Sequence, residues 1–389
     1  MNYRAIAFYL PQFYPIPENE AWWGRGFTEW TNVTRARPLF RGHYQPNLPG
    51  DLGFYDLRLP EVRDAQAELA RRHGLEGFCY WHYWFGNGRR ILERVFSEVM
   101  ETGKPDFPFC LGWANESWSG IWHGKPDRIL IEQQYPGTHD YEAHFKSLLP
   151  AFRDRRYICV DNKPLFLVYK PSLIPNLTEF SALWKKMAVE NGLPGLHLVG
   201  MAHHRESLWD GFDARVSGAP IVEIDRMPRG IARKIGDRVS RQIFGRHSLD
   251  TLIRDLFGVP RNRKYQAFAN SCLTESIPDC EYPVVVPNWD NTPRSGTNGV
   301  VLTDSSPGAF AALFRRACRL VKSRSPQRRL IFIKSWNEWA EGNYMEPDLR
   351  FGSEYLLSMK EALDSECEEQ HQLECTQGNT ILPVAAADD

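Results

Sequence analysis

The chain has 389 residues, a formal net charge of −1 and 42% apolar residues. That length exceeds one minimal core but fits one large α/β barrel with insertions, and the near-zero charge gives no overall attraction to nucleic acid. Aromatic residues make up 13%, with 13 Trp, 15 Tyr and 22 Phe, many beside polar residues in loop-like text, which suits stacking on flat ligands such as sugar rings.

In chain order, "AIAFYLP" (Ala5 to Pro11) opens as a strand. "PEVRDAQAELARRHG" predicts a helix: Pro60 suits its first turn, Val62, Ala65 and Leu69 form a face, and Gly74 stops it. Strands are expected at "GFCYWHYW" (Gly77 to Trp84), "FPFCLGWAN" (Phe107 to Asn115), "PLFLVYK" (Pro164 to Lys170), "LHLVGM" (Leu196 to Met201), "FDARVS" (Phe212 to Ser217), "PVVVPNWD" (Pro283 to Asp290) and "LIFIKSWNE" (Leu330 to Glu338). Helices are expected near Arg90 to Glu101, Phe180 to Asn191 and Gly308 to Lys322. Most of these strands are apolar on both alternating faces, as buried parallel strands are. The alternation predicts an α/β fold, a (β/α)8 TIM barrel with loop insertions. A doubly wound open sheet is the alternative, disfavoured because no Gly-rich phosphate loop follows the first strand.

The barrel is expected to span residues 1–363. Residues 226–264 carry eleven Lys/Arg against three Asp and read as an insertion: a solvated helical pair, or a patch for phosphate, a lipid-phosphate-linked glycan or a membrane surface. The tail, 364–389, lacks Lys and Arg and is expected to be largely disordered. None of the eight cysteines forms a C-x-x-C pair, so free thiols in a reducing cytoplasm are expected rather than a disulfide frame or zinc site. No signal peptide and no transmembrane segment is expected, which predicts a cytoplasmic protein, with a peripheral place at the inner membrane as the variant the basic segment would allow. No metal and no cofactor is expected: His203 and His204 are adjacent, and neighbouring strand side chains point to opposite faces, while nucleophile-elbow, P-loop and dinucleotide motifs are absent.

A barrel carries its chemistry at the C-terminal ends of its strands. Those positions hold Tyr9, Gln12 and Trp30 after the first strand, His82 and Tyr83 after the second, Trp113, Asn115 and Glu116 after the third, and Tyr169 after the fourth. Trp289, Asp290 and Arg294 follow the seventh; Trp336, Asn337 and Trp339 follow the eighth. Rings that stack on sugar C–H faces, with amides and acids that bind hydroxyls, describe a carbohydrate cleft.

Glycosyl chemistry needs two carboxyl groups in different protonation states. Glu338 and Glu341 are candidates: at i and i+3 on a helical turn their Cβ atoms lie roughly 5–6 Å apart, near the roughly 5–5.5 Å carboxyl spacing of retaining glycosidases. Trp336 and Trp339 would raise the pKa of whichever acid lies deeper. A bare E-x-x-E is more often a pair of surface acids on a turn; the strand before it and the rings around it point to a site.

"FYLPQFYPIPENEAWWGRGFTEWTNV", "GFCYWHYWF", "LGWANESW", "NWDNTPR" and "SWNEWAEGNYMEPD", with other motifs in order over about residues 3–357, closely resemble WbsX-type proteins found with bacterial surface-polysaccharide (O-antigen) biosynthesis functions. Those are similar to the glycoside hydrolase family 99 superfamily of (β/α)8 barrels, which includes endo-α-mannosidases. The resemblance implies that Glu338 matches the carboxylate proposed as general base on the sugar 2-hydroxyl, forming a 1,2-anhydro sugar, and that Glu341 matches the general acid/base. The chain departs from the mannosidase pattern at Ala340, where those proteins typically carry His, which puts mannose-type contacts in question.

Three readings follow. The first is an enzyme acting on an α-linked glycosidic bond of an oligosaccharide or polysaccharide through the Glu pair. The second is a glycosyltransferase of surface-polysaccharide (lipopolysaccharide) biosynthesis using a phosphate-linked donor. The third is a non-catalytic glycan-binding barrel, against which the intact acid pair argues.

Overall fold

The computed structural model describes residues 3–120, 125–202, 208–217, 242, 253–254 and 256–378. Nine strands form one parallel barrel: β1 (Arg4–Tyr9), β2 (Leu75–His82), β3 (Phe109–Trp113), β4 (Lys163–Val168), β5 (His197–Ala202), β6 (Ala214–Ser217), β7 (Glu281–Tyr282), β8 (Val284–Val285) and β9 (Leu330–Ile333). Neighbours from β1 to β6 pair in sequence order, and β9 pairs with β1 in the register Arg4↔Leu330 to Ala7↔Ile333.

Closure falls to a strand split by Pro283. Proline has no N–H to donate to a ladder. On its N-terminal side β7 pairs with β6, and on its C-terminal side β8 pairs with β9. The two halves act as one barrel strand, so nine segments make the expected eight positions. The strand expected over Pro283 to Asp290 is therefore shifted, and Trp289 and Asp290 belong to the loop after it.

The strands form because nearly every residue is apolar, so both faces can be buried. The interior is filled by rings: Phe8 stacks on Trp81 at 5.0 Å and on Phe332 at 5.5 Å. Seven of the helices matter for the site and its support: α1 (Pro17–Trp23), α2 (Glu29–Arg35), α3 (Pro60–Arg72), α4 (Arg94–Thr102), α5 (Thr138–Phe152), α6 (Leu177–Glu190) and α7 (Pro307–Val321). Pro60 sits in the first turn of α3, and Ser306 caps α7 by accepting from the Ala309 N–H.

Two expectations need correction and one lies largely outside the described residues. A last helix, α8, runs over Glu354–Gly378, so the segment from 364 is helical rather than disordered as far as 378. Its reason is packing: Glu366 is buried and accepts from Arg319 of α7 at 2.9 Å. α5 was not among the expected helices; its Pro150 lies in the last turn. Of the basic segment only 242, 253–254 and 256–264 are described; its end, Arg261–Lys264, pairs in parallel with Val300–Thr303. His203 and His204 lie outside the described residues. Among the described residues no helix is long and apolar enough to cross a membrane.

Candidate active site

Beyond β9 the chain makes a tight hairpin. Asn337–Glu338 pairs antiparallel with Asn343–Tyr344, and Trp339–Glu341 between them form one 3-10 turn. In a 3-10 turn residues i and i+3 eclipse, which brings Glu338 and Glu341 to the same side. Gly342 closes the turn at φ 65°, and a Cβ there would stand 2.7 Å from the Asp290 nitrogen, so glycine is needed for both conformation and space. That close approach lets the Asp290 N–H donate to the Glu341 carbonyl at 2.8 Å.

The two carboxylates meet on one guanidinium. Arg294 Nη2 donates to Glu338 Oε1 at 2.5 Å and Nη1 donates to Glu341 Oε1 at 2.7 Å. A third acid shares it: Glu29, in the first turn of α2, accepts from Arg294 Nε at 3.1 Å and lies 3.0 Å from Nη2. All four side chains are buried, with side-chain exposures of 11% for Arg294, 4% for Glu29, 8% for Glu338 and 9% for Glu341. Burial disfavours the Arg294 charge, but Glu29, Glu338 and Glu341 outweigh it and hold the guanidinium charged. Burial pushes the Glu338 carboxyl up to about 7, opposed by Arg294 and aided by the repulsion of Glu341 and Glu29. A carboxyl there exchanges its proton near neutral pH.

These acids line a cavity of about 310 Å³ at the C-terminal end of the barrel. Aromatic walls are supplied by Trp23, Phe27, Trp81, Tyr83, Trp118 and Tyr169, and polar groups by Gln12, Glu29, Glu116, Ser117, Ser119, Arg294 and Lys334. Burial, then the Glu338 charge, pushes the Tyr83 phenol up and keeps it a neutral donor. Glu116 is ion-paired to Lys170 at 2.6 Å. Among the described residues no cluster of three His, Cys, Asp or Glu offers a metal site. The arrangement can stack a sugar ring, bind its hydroxyls and present two carboxyl groups of unlike environment to one bond.

Of the residues singled out in the sequence, Gln12, Tyr83, Glu116, Tyr169, Arg294, Glu338 and Glu341 come together around this cavity. Ten others do not line it, and each is committed elsewhere. The Tyr9 hydroxyl donates to Gln66 at 2.8 Å, Trp30 Nε1 to the Tyr55 carbonyl at 2.8 Å and Trp113 Nε1 to the Trp84 carbonyl at 2.9 Å. Asn115 is fully buried and clamps the Lys170 backbone at both its N–H and carbonyl. Asn337 does the same to Leu10, tying the hairpin to the end of β1. Asp290 accepts from His43 Nε2 at 2.7 Å, Gln45 Nε2 at 2.6 Å and the Thr292 hydroxyl at 2.6 Å. Trp289 and Trp336 are wholly packed, and Trp339 stacks on Tyr344 at 3.8 Å while donating Nε1 to Glu346 at 2.6 Å. The indoles expected as walls for the acid pair therefore support the hairpin from behind, and Ala340 is likewise buried in the core.

His82 faces the other side of β2. Its Nε2 lies 2.8 Å from His144 Nε2, beside a separate cavity of about 190 Å³ between α4 and α5. Burial pushes His82 down to about 3 and His144 well below its usual value, so the pair is neutral, one ring donating and the other accepting. Strand alternation would have separated His82 from Tyr83, and would have put Trp81 in the cavity beside Tyr83. Glu29, Trp23 and Phe27, clustered in "ENEAWWGRGFTEW", and Trp118 in "NESW" also line the site. Glu346 was not anticipated from the sequence. It is fully buried, accepts from Tyr55, Gln66 and Trp339, and burial pushes it up to about 7.

A family model described as glycosyltransferase WbsX matches residues 5–359. Two proteins from Xanthomonas campestris pv. campestris, each called uncharacterized protein WxcX, are 38% identical over 361 residues (strain B100) and 39% over 363 (strain ATCC 33913). Each alignment covers 92% of this chain and 49% of the relative, so the chain spans about half the length of the curated relatives it matches. In fold the chain is similar to the GH99 endo-α-mannosidase of Bacteroides thetaiotaomicron, with a TM-score of 0.54 at 15% identity over 95% of this chain and 98% of that one. It is also similar to a glycoside hydrolase-like protein, with a TM-score of 0.50 at 14% identity over 92% and 93%.

Proposed function

The chain belongs to the WbsX glycosyltransferase family, and we propose that it is an enzyme of glycosyl bonds, acting with retention on an α-linked bond of a bacterial surface polysaccharide of the O-antigen type. The observation that carries this reading is the pair Glu338 and Glu341, delivered by one turn into one ring-lined cavity and joined through Arg294. Glu338, with its proton affinity raised, is a stronger base than an ordinary carboxylate. It removes the proton of the sugar 2-hydroxyl, and the 2-oxygen forms a bond to the anomeric carbon. Glu341 gives its proton to the leaving oxygen as that bond breaks. In the second half Glu341 takes a proton from the incoming water or acceptor hydroxyl, whose oxygen attacks the anomeric carbon as the bond from that carbon to the 2-oxygen breaks, and Glu338 returns its proton to the 2-oxygen.

Arg294 donates to Glu341 Oε1, so the acid role requires Arg294 to release Glu341 when glycan enters. Glu29, which holds the same guanidinium, gives it a place to stay.

The family description favours a second reading, transfer from a phosphate-linked donor onto a growing lipopolysaccharide chain, with the same acids. Product analysis on a glycan panel tests both. Glu341→Gln is expected to lose at least about a hundredfold in turnover. Unchanged turnover in that variant sinks the acid-pair mechanism, and turnover that depends on a nucleotide sugar or polyprenyl-phosphate sugar selects transfer.

A further inference from the structure

The main cavity holds one cation whose partner is missing from the mechanism. Lys334 follows β9 directly, its backbone N–H donates to Val285 of β8, and its side chain reaches the cavity wall four residues before Glu338. Its amine stands 5.5 Å from the centroid of the buried Trp289 ring. Among the described residues no carboxylate lies within ion-pairing reach of that amine, and the Trp289 ring is its one side-chain partner.

The other cations around the site are committed. Arg294 serves three carboxylates and Lys170 serves Glu116. If Lys334 were present to balance the local charge, it would join the cluster of Glu29, Glu338 and Glu341, where three acids share one guanidinium. It stands off from them instead. An ammonium group in a concave, ring-lined wall is costly unless an anion meets it, and a ring face compensates it in part only.

Building on the glycosyl-bond reading of this site, we infer that Lys334 recognises a negatively charged substituent on the bound sugar, so that the substrate is an acidic glycan or a sugar phosphate rather than a neutral saccharide. Carboxylate and phosphate satisfy a lysine alike, because its ammonium is a compact point charge with three donors. The rings beside it then hold the sugar face, and the Glu pair acts on the bond.

The test is a binding measurement that needs no turnover. Glu341→Gln protein is titrated with glucuronic and galacturonic acids, with glucose and galactose 1-phosphates, and with neutral glucose and galactose, following ligand NMR signals at low and high salt. At least one acidic probe is expected to bind about tenfold or more tightly than its neutral parent, with the preference weakening in salt. Lys334→Met is expected to abolish the preference and Lys334→Arg to keep most of it. Uronic acids alone preferred would identify a carboxylated glycan; phosphates alone would identify a phosphate-linked donor. The inference is overturned if neutral parents bind as well as the acids, if no acidic probe binds in the millimolar range, or if Lys334→Met retains the preference. None of these outcomes depends on the Glu pair, whose failure is read separately as unchanged turnover in Glu341→Gln.

Discussion

Replacing Arg294 by Met removes one guanidinium and leaves Glu29, Glu338 and Glu341 facing one another in a buried space. Three ion pairs, at 3.0, 2.5 and 2.7 Å, are lost together. Removing one partner from a buried pair costs about 3–5 kcal/mol, because it strands the opposite charge. Here Glu338 can relieve part of that cost by taking up a proton, so the loss depends on pH. Its pKa is already raised by burial and, without the opposing cation, rises further above the unfolded value of about 4.3. Groups raised in this way bind protons on folding. Their relief is fully present below the unfolded pKa and disappears as pH rises through the folded one. Urea unfolding of wild type and Arg294→Met across pH 5 to 8 should therefore show a small deficit at the acid end and about 3–5 kcal/mol at pH 8. A deficit under about 1 kcal/mol at pH 8 would mean solvent screens the cluster. An equal deficit at both ends would refute the charge argument and leave only lost packing.

The raised Glu338 pKa sets a limb in the rate profile. As the base it must be ionised, so kcat/KM of the free enzyme should rise to a plateau above about 7, and a profile flat from pH 5 to 9 would contradict the assignment. Asp290→Ala should lower stability by about 3 kcal/mol in urea titrations, since the donors of His43, Gln45 and Thr292 lose their acceptor, with KM changed less than twofold at a permissive temperature. A large KM effect with full stability would restore Asp290 as a substrate contact. Trp118→Ala removes a cavity ring that meets Tyr83 edge-on at 5.5 Å. It should weaken glycan binding by about 1.5 kcal/mol, near tenfold, in a fluorescence titration, and unchanged affinity would take Trp118 out of the site.

The barrel was legible because its strands are apolar on both faces, and no other common element reads that way over five or six residues. The acid pair was legible because a strand ends directly in E-x-x-E among rings. Position at a strand end proved a weaker guide to what touches the cavity. Asn115 and Asn337 are rim residues by number, yet both spend their amides holding backbone in place, because buried peptide groups there have no ladder partner. Glu29 was seen in a ring-rich stretch but not placed with Arg294, 265 positions away, since only the closed ring brings them together. In the sequence the closing strand reads as starting at Pro283, because a proline reads as a strand boundary, so its first half at Glu281–Tyr282 stays hidden. α8 was hidden by composition: an acidic stretch without Lys or Arg reads as solvated chain until a partner such as Arg319 is in view.

The order of pairing around the ring bears on how the protein comes to be active. β9 is the one strand that joins the first strand to the split strand, and Glu338 and Glu341 ride on its continuation. Glu29 comes from α2, which follows the first of those neighbours, and Arg294 from the short helical turn Thr292–Ser295 after the second. Glu338, Glu341, Glu29 and Arg294 are thus brought together by the same pairings that complete the cylinder. Without β9 in place the chain has neither the formed cavity nor the buried setting that raises Glu338.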